Sequence, residues 1–169
     1  MIQPSLPGLT LALALLPAAC AHGPKAADEV ARVLDDFHDA AAKADEARYL
    51  GHLAEDGVFL GTDASERWPK AEFRSFVHPH FAKGDGWTYV PRERHVMVSA
   101  DDRFAWFDEH LENESYGLVR GTGLLRNGPG GWKVVHYSVT FAVPNDAAHE
   151  VVRVIRRRAA EPAAPKAAP

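Results

Sequence analysis

Cysteine is almost missing from this chain of 169 residues; the one present, Cys20, excludes an internal disulfide. No apolar run is long enough to span a bilayer as a helix, since the best of them, Gly8 to Ala19, stops well short. A basic stripe interleaved with aromatics is also absent, and the formal net charge is −4, so nothing points to nucleic acid. There is no nucleophile elbow, and Ser138 lies two positions from His136 on one strand, which does not make a hydrolase. His78-Pro79-His80 invites a metal, with Asp63 or Glu66 as oxygen ligands, but no spacing fixes a third ligand and no metal is expected. No motif calls for a cofactor. What remains is ordinary globular composition, 46% hydrophobic and 25% charged, with length for one domain and one core.

The apolar run GLTLALALLPAA has the length of a signal-peptide core and ends at LLPAAC. Residues 1–20 thereby resemble a bacterial lipoprotein signal, in which small residues precede a cysteine that is lipidated and becomes the new N-terminus. Pro17 stands where a leucine-like residue is usual, and MIQPSLPG has no Lys or Arg. Cleavage after Ala21, reading Ala19-Cys20-Ala21 as A-x-A, is the alternative. Either route exports the chain, to the periplasm or to a membrane through a lipid on Cys20.

From Ala26 the pattern turns globular. Val30, Val33, Leu34, Phe37 and Ala41 recur at helical spacing and predict an amphipathic helix over Asp28–Lys43. A second helix runs through Tyr49, Leu50 and Leu53 and stops at Gly57. Val58–Asp63 is a short strand. A third helix starts at Pro69, turns Phe73 and Phe76 inward, and breaks at Pro79. Trp87–Ser99 is a strand that Pro91 confines to an edge or bulge. Arg103–Val143 reads as three antiparallel strands joined by turns near Glu112–Ser115 and Asn127–Gly131, where Asn-Gly and Gly-Gly suit a tight hairpin. A last helix, 147–159, is capped by Asn145 or Asp146. Arg156–Arg158 place favourable charge at its C-terminus. Residues 160–169 form an Ala/Pro-rich tail expected to be disordered.

Side chains alternate across a strand, so turn positions sort the faces. Centring the turns near 114 and 129 sets Asp108 across from Arg120 and Thr122 across from His136. One face then carries Trp106, Asp108, His110, Arg120, Thr122, Leu124, Val134, His136 and Ser138. The other carries Ala105, Phe107, Glu109, Val119, Gly121, Gly123, Leu125, Val135, Tyr137, Val139 and Phe141. On the first face Asp108 would act as a base, His136 as its partner or a proton donor, and Arg120 as the holder of an anion. Arg120 paired with Asp108 would instead lower the acid's pKa and make a structural salt bridge. Glu109 with Tyr137 is the second set. Trp68, His80, Trp87, Trp106, Thr122 and Ser138 are the candidate pocket residues, the tryptophans serving equally as core.

Helices, a short strand, another helix, then antiparallel strands closing on a last helix limit the fold class to α+β. VARVLDDFHDAA, GVFLGTDASERW, PHFAKGDGWTYVPRERHV, AWFDEHL, YGLVRGTGLL and WKVVHYSVTFAVPND together resemble the SnoaL-like branch of the NTF2-like superfamily, over residues 26–146. The resemblance implies a cystatin-like cone: N-terminal helices packed on a curved antiparallel sheet around a cavity, and homodimers are common in that superfamily. Its relatives include isomerases, cyclases, dehydratases and non-catalytic modules. The expectation is therefore an exported domain binding a small, partly apolar molecule, with acid/base chemistry or as a non-catalytic binding or protein-interaction module. No segment matches a catalytic motif of those enzymes closely enough to carry roles across.

Overall fold

A computed structural model of the chain describes residues 24–161. Residues 1–23, with the expected signal and Cys20 and Ala21, and residues 162–169 lie outside the described residues. The elements are α1 (Pro24–Ala42), α2 (Glu46–Gly51), β1 (Leu53–Leu60), β2 (Arg67–Pro69), α3 (Lys70–Phe81), β3 (Val90–Val98), β4 (Phe104–Asn113), β5 (Gly117–Gly128), β6 (Gly131–Phe141) and α4 (Ala148–Ala160). Six strands form one open sheet in the order β2-β1-β6-β5-β4-β3, confirming the α+β class. All neighbours are antiparallel except β1 and β6, which run parallel. Register shifts in the β1–β6, β3–β4 and β5–β6 pairs insert bulges that bend the strands. Among the described residues no helix is long and apolar enough to cross a membrane.

The α1 stripe behaves as its spacing requires: Val30, Leu34, Phe37, Ala40 and Ala41 are all buried against the sheet. Asp45 caps α2 by accepting from the backbone N–H of Arg48 at 3.1 Å. This helix ends at Gly51 rather than Gly57. The cause is sheet pairing: the His52 carbonyl accepts from the Val134 N–H at 2.9 Å, and Leu53 already opposes Val134. Gly57 therefore falls inside a strand. Helix α3 does start after Pro69, but it continues through Pro79 to Phe81. Pro79 and Ser75 are both exposed, so the carbonyl that loses a partner there faces water. Continuing past Pro79 buries Phe81 against Tyr49 and Trp87. Strand β3 lies at the sheet edge, with a register shift between Pro91 and Glu93.

The three central strands keep their faces while sliding by two residues. Asp108 stands across from Thr122, His110 from Arg120, Thr122 from Ser138, and Leu124 from His136. The turn after β4 is centred one residue later than its sequence suggested, which moves partners by two and preserves parity. A bulge between Leu124 and Leu125 exchanges two neighbours: Val134 is fully buried on the helix-covered face, and Val135 is not. Helix α4 has Ala147 at its N-cap, with no side-chain cap from Asn145 or Asp146. A backbone turn leads in instead, the Ala147 N–H donating to the Pro144 carbonyl at 3.0 Å. Arg157 and Arg158 occupy its last turn, and none of its residues is buried.

Candidate ligand-binding site

The helices cover the face that carries Glu109. In the middle strand β4, parity turns Glu109 inward, and it is only 1% exposed. Its flanking partners are Arg94 on β3 and Gly121 on β5. Tyr137 Oη donates to Glu109 Oε1 at 3.0 Å, and His38 Nε2 of α1 lies 2.8 Å from the same oxygen. Arg94 Nε donates to Oε2 at 2.7 Å, while Nη1 donates to the Ala31 carbonyl and to Asp35 on α1. The network thus ties α1 to three strands. Gly121 makes it possible: a Cβ there would stand 2.6 Å from Tyr137 Oη and 3.0 Å from the Glu109 side chain.

Burial by itself raises the Glu109 pKa, but the hydrogen bond and charge of His38, joined by Arg94, more than offset it. The carboxyl is held below its usual range. Burial pushes Tyr137 well above the usual phenol value, helped by the adjacent Glu109 charge, and buried Tyr49 is raised as well. Both phenols stay neutral in the fold at a pH where the unfolded chain ionises them. Their contribution to stability is complete below the unfolded pKa of about 10 and lost as pH rises beyond it. Melting temperature should accordingly fall between about pH 10 and about pH 11, and less steeply in Tyr137→Phe. A melt series across that range in both proteins checks it.

Above this network the covered face opens. A small hollow of about 10 Å³, room for roughly one water, is bounded by His38, Tyr49, Tyr137, Phe59 and Trp87. Phe59, Trp87, Tyr89 and Val139 also line a cleft of about 430 Å³, so the two spaces adjoin. The cleft wall is aromatic and continuous: Phe59 stacks on Phe73 at 4.2 Å, and Trp68 on Phe76 at 4.6 Å. Phe76 sits 6.1 Å from Trp87. Tyr89 and Tyr116, with Glu66, Asn113, Glu114 and Ser115, complete it.

Residues 30–144, most of the described fold and more than half the chain, match the SnoaL-like domain family. The chain belongs to the SnoaL-like family. No curated protein matches it in sequence. Solved structures share its fold at low identity. An NTF2-like protein with a cystatin-like fold from Novosphingobium aromaticivorans aligns at TM-score 0.58 and 14% identity, over 76% of this chain and 89% of that one. A candidate dehydratase of the NTF2-like family from Streptomyces avermitilis aligns at 0.57 and 17%, over 71% and 98%. A candidate ketosteroid isomerase from Shewanella frigidimarina aligns at 0.53 and 19%, over 66% and 94%.

In this SnoaL-like domain the sequence candidates separate by face. Trp68 and Trp87 line the cleft, and His80 packs against its wall without lining it, 5.5 Å from Phe76 and edge-on to Trp87 at 6.2 Å. Trp106, 45% exposed, lies on the outer face of the sheet with half-buried Thr122 and Ser138, away from the cleft. Asp108, Arg120 and His136 share that outer face. The two-residue slide leaves Asp108 and Arg120 without each other as cross-strand partners, and none of the three lines the cleft. Glu109 and Tyr137, the second set, are joined directly. His78 bonds Glu46 at 2.7 Å, and among the described residues no group of three or more His, Cys, Asp or Glu converges as a metal site would require. Sequence reading missed His38, Arg94, Phe59, Tyr89 and Tyr116, and weighed Glu66 only as a metal ligand. His38 had a signal, since it follows Leu34 by four on the apolar stripe of α1.

Proposed function

We propose that this domain binds a small, partly apolar molecule in the aromatic cleft and that binding, without turnover, is its function. The observation that carries this is the state of the deep acid. Glu109 accepts from Tyr137, His38 and Arg94 together, and its pKa is lowered. A general base needs a pKa near the working pH and an unengaged lone pair aimed at substrate. Glu109 has the environment of a structural anion. The cleft has the size and the mixture of apolar wall and few polar groups that ligand sites show.

A second reading is acid/base catalysis of the isomerase or dehydratase kind. His38 favours it: the imidazole bounds the inner hollow and is oriented by a carboxylate behind it. Similarity to a candidate dehydratase and a candidate isomerase gives that reading its context. Native mass spectrometry of protein purified from its source separates the two. Binding without turnover predicts one retained small molecule per chain, released unchanged on denaturation. Conversion of added ligand, read as loss of water by mass or, for an isomer of equal mass, as a shifted chromatographic retention, would overturn it. The same spectrum tests for a homodimer, which the exposed Trp106 and Leu118 of the outer sheet face support.

Export and a lipid on Cys20 belong to the same proposal, resting on the apolar run that ends at LLPAAC. Intact-mass analysis of the mature chain is expected to show a lipidated N-terminal Cys20. An unmodified chain beginning at His22 would contradict the anchor.

A further inference from the structure

The walls of the cleft carry charge of one sign only. Its ionisable lining residues at neutral pH are Glu66 and Glu114, and among the described residues no Lys, Arg or His lines it. Around these carboxylates stand seven aromatic faces or edges, from Phe59, Trp68, Phe73, Phe76, Trp87, Tyr89 and Tyr116. An aromatic ring presents negative potential on its face, and a cation within about 6 Å of the centroid is attracted to it. Indoles do this best, and two of the seven are indoles. A carboxylate at the same box supplies the counter-charge.

Glu66 is built into place. It ends a tight loop after β1, where Gly61 N–H donates to the Glu66 carbonyl at 2.9 Å and Asp63 N–H donates to Glu66 Oε2 at 3.1 Å. Its carboxylate folds over Gly61 so closely that a Cβ at that position would stand 2.2 Å from Oε2. The glycine leaves the space in which the carboxylate rests, at the edge of the aromatic wall. Glu66, Tyr89 and Tyr116 line one space, and burial first, then the charges of Tyr116 and Glu66, raise the Tyr89 pKa.

We propose that the ligand of the cleft is an organic cation, an alkylated or aromatic ammonium held by Trp68, Phe76 and Trp87 and neutralised by Glu66. This rests on the reading that the cleft is a binding site and adds the ligand's charge to it. Neutral or anionic molecules of the same shape gain the apolar contact but not the attraction of ring faces and carboxylate, and anions are repelled by Glu66 and Glu114.

The test uses three probes of matched shape on the folded protein: benzyltrimethylammonium, its neutral isostere neopentylbenzene, and benzylsulfonate. Tryptophan fluorescence reports binding. The cation is expected to bind at least about tenfold more tightly than the neutral probe, with benzylsulfonate weaker still. Rising salt should weaken the cation and leave the neutral probe unchanged. Glu66→Gln keeps a side-chain oxygen for the Asp63 N–H and should reduce the preference for the cation about tenfold. Glu114→Gln, on an exposed turn, should reduce it less. Equal binding of cation and neutral probe, or a preference that survives both variants, overturns the cation while the cleft stands. Binding of none of the three overturns both readings.

Discussion

Replacing Glu109 with alanine is expected to cost about 3–5 kcal/mol of folding stability. The residue is 1% exposed and holds two groups that are themselves withdrawn from water: His38, 6% exposed, and the Arg94 side chain, 10% exposed. Removing the carboxylate leaves a guanidinium inside the fold with only Asp35 and a carbonyl as partners, and leaves Tyr137 with an unpaired hydroxyl. An unpaired buried charge costs far more than the pair contributed, because desolvation is no longer compensated. Urea unfolding should show a lower midpoint with an unchanged slope. The acid limb follows from the same group. Because Glu109 titrates lower in the fold than unfolded, its contribution is present above the unfolded carboxylate pKa and lost as pH falls through the folded one. Wild type should lose stability on acidification, and Glu109→Gln should lose less over the same range. A Glu109→Ala protein with wild-type midpoint would mean that the network does not hold α1 to the sheet.

Phe59→Ala is expected to lower stability by about 3 kcal/mol and to change the site more than the fold. Phe59 is held between two rings, Phe73 at 4.2 Å and Tyr137 at 5.2 Å, both nearly parallel to it. It lines the cleft on one side and the inner hollow on the other, and so divides them. Without the ring the two spaces merge, and the cleft reaches Tyr137 and His38. A ligand fitted to the aromatic wall loses a ring edge of contact and should bind more weakly. Larger apolar molecules should gain entry. Unaltered affinity for benzyltrimethylammonium in a folded Phe59→Ala protein would place the site elsewhere.

The fold was legible because many segments agreed. The α1 stripe, Pro69 before α3, the Asn127–Gly131 hairpin and edge-strand Pro91 each carry a local physical cause, and together they specify helices against an antiparallel sheet. Register was less so. One residue of uncertainty in the β4–β5 turn moved Asp108 from Arg120 to Thr122, and a bulge beside Leu125 turned Val134 inward. Parity survived the slide, and the bulge reversed it only before His136, so Glu109 and Tyr137 stayed on one face and could be paired from sequence. Which face the helices cover was not readable, because the outer face also offered an aromatic, an acid and an imidazole. Partners distant in sequence were out of reach: His38 and Glu109 meet only because α1 crosses β4, and Glu66 joins Tyr89 in one cleft only because the loop after β1 folds back.

The chain's four tryptophans allow one measurement to locate the site. Trp68 and Trp87 line the cleft, Trp106 stands on the outer face, and Trp132 is buried in the core. Titrating benzyltrimethylammonium into labelled protein and following the four indole N–H resonances should shift Trp68 and Trp87 together with one saturation curve, leaving Trp106 and Trp132 in place. Movement of Trp106 alone, or of no indole at any concentration, would contradict a ligand site beneath the helices.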